Sequence, residues 1–142
     1  EATLALKTVV GLGKKQDWNV HGIEHQLGAY THCPHGLGLA VISYPYYKYI
    51  SKFGKNQFEK FAVNVFQVAR EGKTQDEIIA EGIEKMENFI KELKIPTTLK
   101  ELNATKDMLP LIAKSAYQNG LEAGFHPLSE EETLKILEDC FE

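Results

Sequence analysis

Between residues 74 and 93 the chain places Ile78, Ile79, Gly82, Ile83, Met86 and Ile90 at steps of three and four, with mostly polar and charged residues between them. That period matches 3.6 residues per turn and gives one apolar stripe, whereas a strand would alternate every second residue. Thr74-x-x-Glu77 opens the stretch as a capping box, in which each side chain satisfies a backbone N–H of the other residue's turn. Ser129-x-x-Glu132 repeats the device ahead of a last helix that runs to about residue 141. Asn56 starts another helix, with Glu59 at its third position and Phe58, Phe61, Ala62, Val65, Phe66 and Ala69 at helical spacing. Four further segments read the same way. These are residues 2–10, residues 20–30 (capped by Asp17 or Asn19), the strongly apolar residues 37–50, which Pro45 should kink or end, and residues 107–119. "KIPTTLKEL" is a connector with one short turn, and "GLEAGFHPL" is a loop. Only Val9, Val10 and residues 40–47 lean toward β structure. The expected fold is all-α: residues 1–142 as a single all-helical domain, a bundle of six to eight helices.

Charge and composition narrow the function classes. The 142 residues are 43% hydrophobic and 25% charged, with a net charge of -4. A nucleic-acid binder needs a basic face, so no nucleic-acid partner is expected. No apolar run approaches the ~20 residues that span a bilayer, so no membrane partner is expected either. Cys33 and Cys140 stand far apart and make no disulfide framework, which makes a reducing cytoplasm the expected location. Glu1 is not an initiator methionine, and "EATLALK" begins as a helix with no residue ahead of it to cap the first turn. Both features fit a piece of a longer chain, so a fragment is expected.

The chemistry concentrates in "HGIEHQLGAYTHCPHG", residues 21–36, which hold four of the five histidines. Neutral imidazole suits zinc and iron(II). His21 and His25, four apart on a helix, share one face with Cβ atoms roughly 5–6 Å apart. His21 and His35 are fourteen apart, roughly 21 Å on one straight helix. Pro34 and Gly36 break that helix, so His35 can fold back toward His21. "HGIEH" also matches H-x-x-E-H, the inverted zinc-protease pattern, with Glu24 as the base that takes a proton from water. Such a site needs another ligand, for which Glu81, Glu84 and Glu87 are available. His32 reads as a loop residue, Cys33 as a buried inert thiol, and His126 as exposed. Trp18 and the tyrosines 44, 46, 47 and 49 read as core and interface aromatics, and the acidic residues 130–132 as a helix start favoured by the macrodipole.

The segment "WNVHGIEHQLGAYTHCPHGLGLAV" resembles the signature of the iron-containing (group III) alcohol dehydrogenases, in the butanol dehydrogenase branch. The shared features are an H-x-x-x-H pair and, after a ten-residue interval from it, a third histidine with glycine behind it; His21, His25 and His35 carry that spacing. The tyrosine-rich helix after "PHG", the "GIEKMENFIKELKIPTTLKEL" stretch and the "LSEEETLKILEDCF" helix are similar too, so the likeness covers nearly the whole chain.

The resemblance implies a dehydroquinate-synthase-like two-domain enzyme. An N-terminal α/β domain binds NAD or NADP, and a C-terminal helical domain holds a divalent metal, Fe2+ or Zn2+. Four side chains ligate that metal: an Asp and a His from an earlier helix, then His21 and His35. His25 is not a ligand; it borders the nicotinamide and is a proton-relay candidate, and Glu24 becomes an ordinary helix residue. The Asp-and-His pair and the glycine-rich cofactor turn are not in this sequence. It therefore resembles the C-terminal part of the helical domain, lacking the cofactor domain and the first helices of the metal domain. The implied activity of the parent is oxidation of a primary alcohol or reduction of the aldehyde, with the isolated piece inactive. Two other readings of the residues stand beside it: a small zinc hydrolase using His21, His25 and Glu24, and a non-catalytic helical interaction domain. Metal identity, NADH against NADPH, alcohol length and assembly with a second copy are left open.

Overall fold

The structure, a computed structural model, describes residues 11–13, 16–121 and 124–142. The described residues hold six α-helices and no strand: α1 (Asn19–Thr31), α2 (His35–Ile50), α3 (Lys55–Phe66), α4 (Gln75–Glu92), α5 (Met108–Gln118) and α6 (Glu130–Asp139). Single 3-10 turns at Ser51–Phe53 and Lys100–Leu102 join α2 to α3 and lead toward α5. The all-α expectation holds, and residues 40–47 are helical throughout. The helix expected over residues 2–10 lies outside the described residues.

Both capping boxes form. Thr74 Oγ1 accepts from Glu77 N while Glu77 Oε2 accepts from Thr74 N, and Ser129 and Glu132 do the same. The remaining starts differ from expectation. Trp18, not Asp17 or Asn19, is the residue ahead of α1, with no side-chain cap. Asp17 Oδ1 instead accepts from Asn19 N at 2.9 Å, and the buried Asn19 side chain donates to Tyr46 Oη and to the His126 carbonyl. Tyr46 in turn donates to Asp17 Oδ2 at 2.6 Å. The entry to α1 is thus held by the local Asp17 bond together with tertiary hydrogen bonds. Gly54 precedes α3, which ends at Phe66 rather than near Ala69 because Gln67 takes a left-handed conformation.

Pro45 neither ends nor divides α2, which runs from His35 to Ile50. A proline in a helix interior removes one hydrogen bond and costs about 3 kcal/mol. Here it is buried among Val41, Ile42, Tyr46 and Ile50, all on the packed face of α2. Burial of this face of α2, which packs against α1, α4 and α6, offsets the local penalty.

The main core joins α1, α2, α5 and α6 through Ile23, Leu27, Ile42, Ile112, Ile136 and Leu137, each fully buried. The connector is nailed to it: Leu99 is buried there, and its N–H donates to the Cys140 carbonyl at 2.8 Å. The α3–α4 hairpin carries a second, smaller cluster of Ala62, Val68 and Ile78. α4 also packs on α2, so α2 is shared between the two parts.

Candidate metal centre

Three residues, 32–34, reverse the chain between α1 and α2 and set the geometry of the site. α1 closes when His32 enters the left-handed region at φ 55° and its N–H bonds the Gly28 carbonyl at 2.8 Å. Pro34, with φ fixed by its ring, then precedes α2, and its carbonyl accepts from Leu37 and Gly38. His35 is therefore the first residue of α2, and α2 packs back along α1. His21 and His25 lie one turn apart on α1. The result is three gathered imidazoles: ring centroids are 5.4 Å apart for His21 and His35, 5.6 Å for His25 and His35, and 6.2 Å for His21 and His25. The proline break does bring His35 to His21, across what would be roughly 21 Å of straight helix.

The rings line a cleft of about 410 Å³ whose other walls include Trp18, Asn119 and Gly120. Trp18 is half-exposed and meets His21 edge-on at 5.0 Å, so it belongs to the cleft rather than to the core. His21 has its pKa lowered, first by burial and then by His35 and His25, with Glu24 opposing. That favours the neutral form, the one that ligates a metal.

Glu24 differs most from its expected part. It is more than an ordinary helix residue: only 2% of it is exposed, and its Oε2 is hydrogen-bonded to His35 Nδ1. One donor atom each from Glu24, His25 and His35 falls within 4.8 Å of the others. Glu81, Glu84 and Glu87 stay away from the histidines. Glu81 pairs with Lys73 and Lys85, Glu87 pairs with Lys91, and Glu84 and Glu87 line a separate cleft with Tyr44. The hydrolase arrangement thus gains none of the ligands it was offered, and its base is already bonded to His35.

The other sequence candidates fall outside the cluster. His32 is an exposed turn residue. Cys33 is half-buried beside Gly38, and Cys140 is buried in the core, which pushes its thiol pKa up. His126 is not exposed as expected: it stacks on Phe53 at 3.7 Å and bonds Glu132. Asn119 and Gly120 carried no sequence signal as cleft residues, because nothing local links the end of α5 to α1. The donor chemistry fits a divalent ion: imidazoles converge on an open cleft, one of them held toward neutrality.

Comparison with known proteins bears on the same segment. The profile of the Fe-containing alcohol dehydrogenase family, C-terminal, matches residues 2–141. The chain belongs to this family. It is 34% identical over 135 residues to a Bacillus subtilis (strain 168) protein named "Probable NADH-dependent butanol dehydrogenase 1", covering 95% of this chain and 35% of that protein. It is 32% identical over 143 residues to NADH-dependent butanol dehydrogenase A of Clostridium acetobutylicum, covering 99% of this chain and 36% of the relative. The crystal structure of NADH-dependent butanol dehydrogenase A from Thermotoga maritima superposes with a TM-score of 0.84 at 28% identity, over 99% of this chain and 37% of that one. The chain therefore spans about a third of the length of the relatives it matches.

Proposed function

We propose that these 142 residues are the metal-side helical domain of a longer alcohol dehydrogenase or aldehyde reductase. In this reading His21 and His35 are two ligands of a divalent ion, Fe2+ or Zn2+, and His25 is the proton-relay residue at the nicotinamide. The observation that carries it is the reversal at Pro34, which sets His21 and His35 with ring centroids 5.4 Å apart on two different helices. The overall reaction is a primary alcohol plus NAD(P)+ giving an aldehyde, NAD(P)H and a proton. The family membership and the relatives named as NADH-dependent butanol dehydrogenases support the reaction class.

When bound, the ion supplies Lewis acidity toward the substrate oxygen, and the nicotinamide supplies or accepts the hydride. The residues of this chain do the rest. His21, its pKa lowered by burial and by the neighbouring imidazoles, and His35, bonded to Glu24, present donor nitrogens to the cleft. His25 is exposed at the same mouth, where it takes the hydroxyl proton during oxidation and returns it during reduction. Trp18, half-exposed, forms one wall of the cleft beside His21. The phosphate-binding apparatus and the other ligands lie, on this reading, in the rest of the parent, so the isolated chain has no dehydrogenase activity.

Metal content by mass spectrometry tests the proposal in the parent protein. Stoichiometric metal is expected in the wild type. His21→Ala and His35→Ala should lose it, whereas His25→Ala should keep the metal and lose turnover. Metal lost in His25→Ala but kept in His21→Ala would overturn the assignment.

A further inference from the structure

Glu24 is a carboxylate with 2% of its surface exposed, set between α1 and α2, whose buried side chains are mostly apolar. Burial of a charged group is tolerated only with a bonded partner, and here His35 Nδ1 meets Oε2. The first turn of α2 is built around it. A Cβ placed on Gly38 would lie 2.8 Å from Glu24 Cγ and 2.9 Å from Glu24 Oε1, so any side chain there would push the carboxylate out. Glu24 also lies beside the N-terminal end of α2, where the helix dipole favours negative charge.

A carboxylate oxygen that accepts at this contact pairs with a His35 ring that donates from Nδ1. In that tautomer Nε2 carries the free lone pair. We propose that Glu24 is the positioning residue of this centre: it holds His35 in the Nδ1–H tautomer and fixes the ring so that Nε2 faces the cleft, with Gly38 supplying the space it occupies. Carboxylate partners of metal-bound histidines act in this way generally. The consequence for metal binding rests on His35 being a ligand. The tautomer does not, and it is tested separately.

The experiment uses the full-length protein that contains this chain, stripped of metal and labelled with 15N-histidine. Long-range 1H–15N correlation at pH 8 reads the protonated nitrogen of His35, assigned by its disappearance in His35→Gln. The wild type should show Nδ1–H with a bare Nε2. Glu24→Gln, whose amide oxygen still accepts, should keep that pattern. Glu24→Ala should lose it, and Gly38→Ala, which displaces the carboxylate without removing it, should lose it too. Titration with Zn2+ on the same proteins should show affinity falling about 10–100-fold in Glu24→Ala and less in Glu24→Gln. A wild-type His35 protonated on Nε2 overturns the proposal, as does a tautomer indifferent to both Glu24→Ala and Gly38→Ala. Zn2+ affinity unchanged in His35→Gln would remove His35 from the ligands, and the tautomer result would still decide the role of Glu24.

Discussion

Glu132 shows how one side chain can serve several elements at once. Its Oε2 accepts from Ser129 N at 2.9 Å, closing the cap of α6. Its Oε1 accepts from Tyr49 Oη at 2.9 Å and pairs with His126 Nε2 at 3.1 Å, tying α2 and the 124–129 loop to that cap. The Ser129 N–H, with His126 and Tyr49 adding to it, brings the Glu132 pKa down from 4.5 to about 2, against the opposing effect of burial. The folded value lies below the unfolded one, so ionised Glu132 contributes stability that is complete above about pH 4.5 and is lost as the pH falls toward 2. Urea unfolding across that window should therefore show a wild-type midpoint that drops with acid. Glu132→Gln should start lower at pH 7 and follow a shallower course between pH 4.5 and 2. Identical slopes for the two proteins would remove Glu132 from the acid response.

Among the helices, close approach matters as much as apolar area. α3 and α4 cross where Gly82 meets Ala62: a Cβ on Gly82 would lie 2.3 Å from Ala62 Cβ and 2.8 Å from its Cα, which is backbone and cannot swing away. Helix propensity alone favours alanine over glycine by about 1 kcal/mol. Overpacking costs about 1–3 kcal/mol and wins here, so Gly82→Ala should lower the denaturant midpoint, and a raised midpoint would mean that the helices separate freely. The same contrast between local and tertiary causes decides what was legible in the sequence. The caps at Thr74 and Ser129 were readable because donor and acceptor stand three residues apart. The break at Pro34 was readable for the same reason, and with it the return of His35 to His21. The passage of α2 through Pro45 was not, since it depends on packing from distant helices. Nor was the stacking of His126 on Phe53, or the entry to α1, which is held by Tyr46 and the His126 carbonyl. Glu24 was visible through the H-x-x-E-H pattern, but its bond to His35 is made across a helix reversal, and the pattern alone pointed to a zinc hydrolase.

For the molecule as a whole, the two apolar clusters set unequal stabilities. The histidine centre stands on α1 and α2, which share the large cluster with α5 and α6 and with the connector around Leu99. The α3–α4 hairpin has the small cluster of Ala62, Val68 and Ile78, and ion pairs such as Lys55–Asp76 tie its two helices together at the surface. Exposed pairs of this kind contribute about 0–1 kcal/mol each. Local opening draws on regions with few buried contacts. The hairpin should therefore open without disturbing the histidine cluster, and amide hydrogen exchange should be faster in α3 and the first half of α4 than in α1, α2, α5 and α6. Ile112, fully buried under α1, supplies the complementary perturbation. Ile112→Ala should cost about 2–5 kcal/mol and raise exchange across all four core helices together, whereas Gly82→Ala should raise it in the hairpin first. If both substitutions accelerated every helix equally, the chain would be one cooperative unit, and the centre could not be held rigid while the hairpin moves.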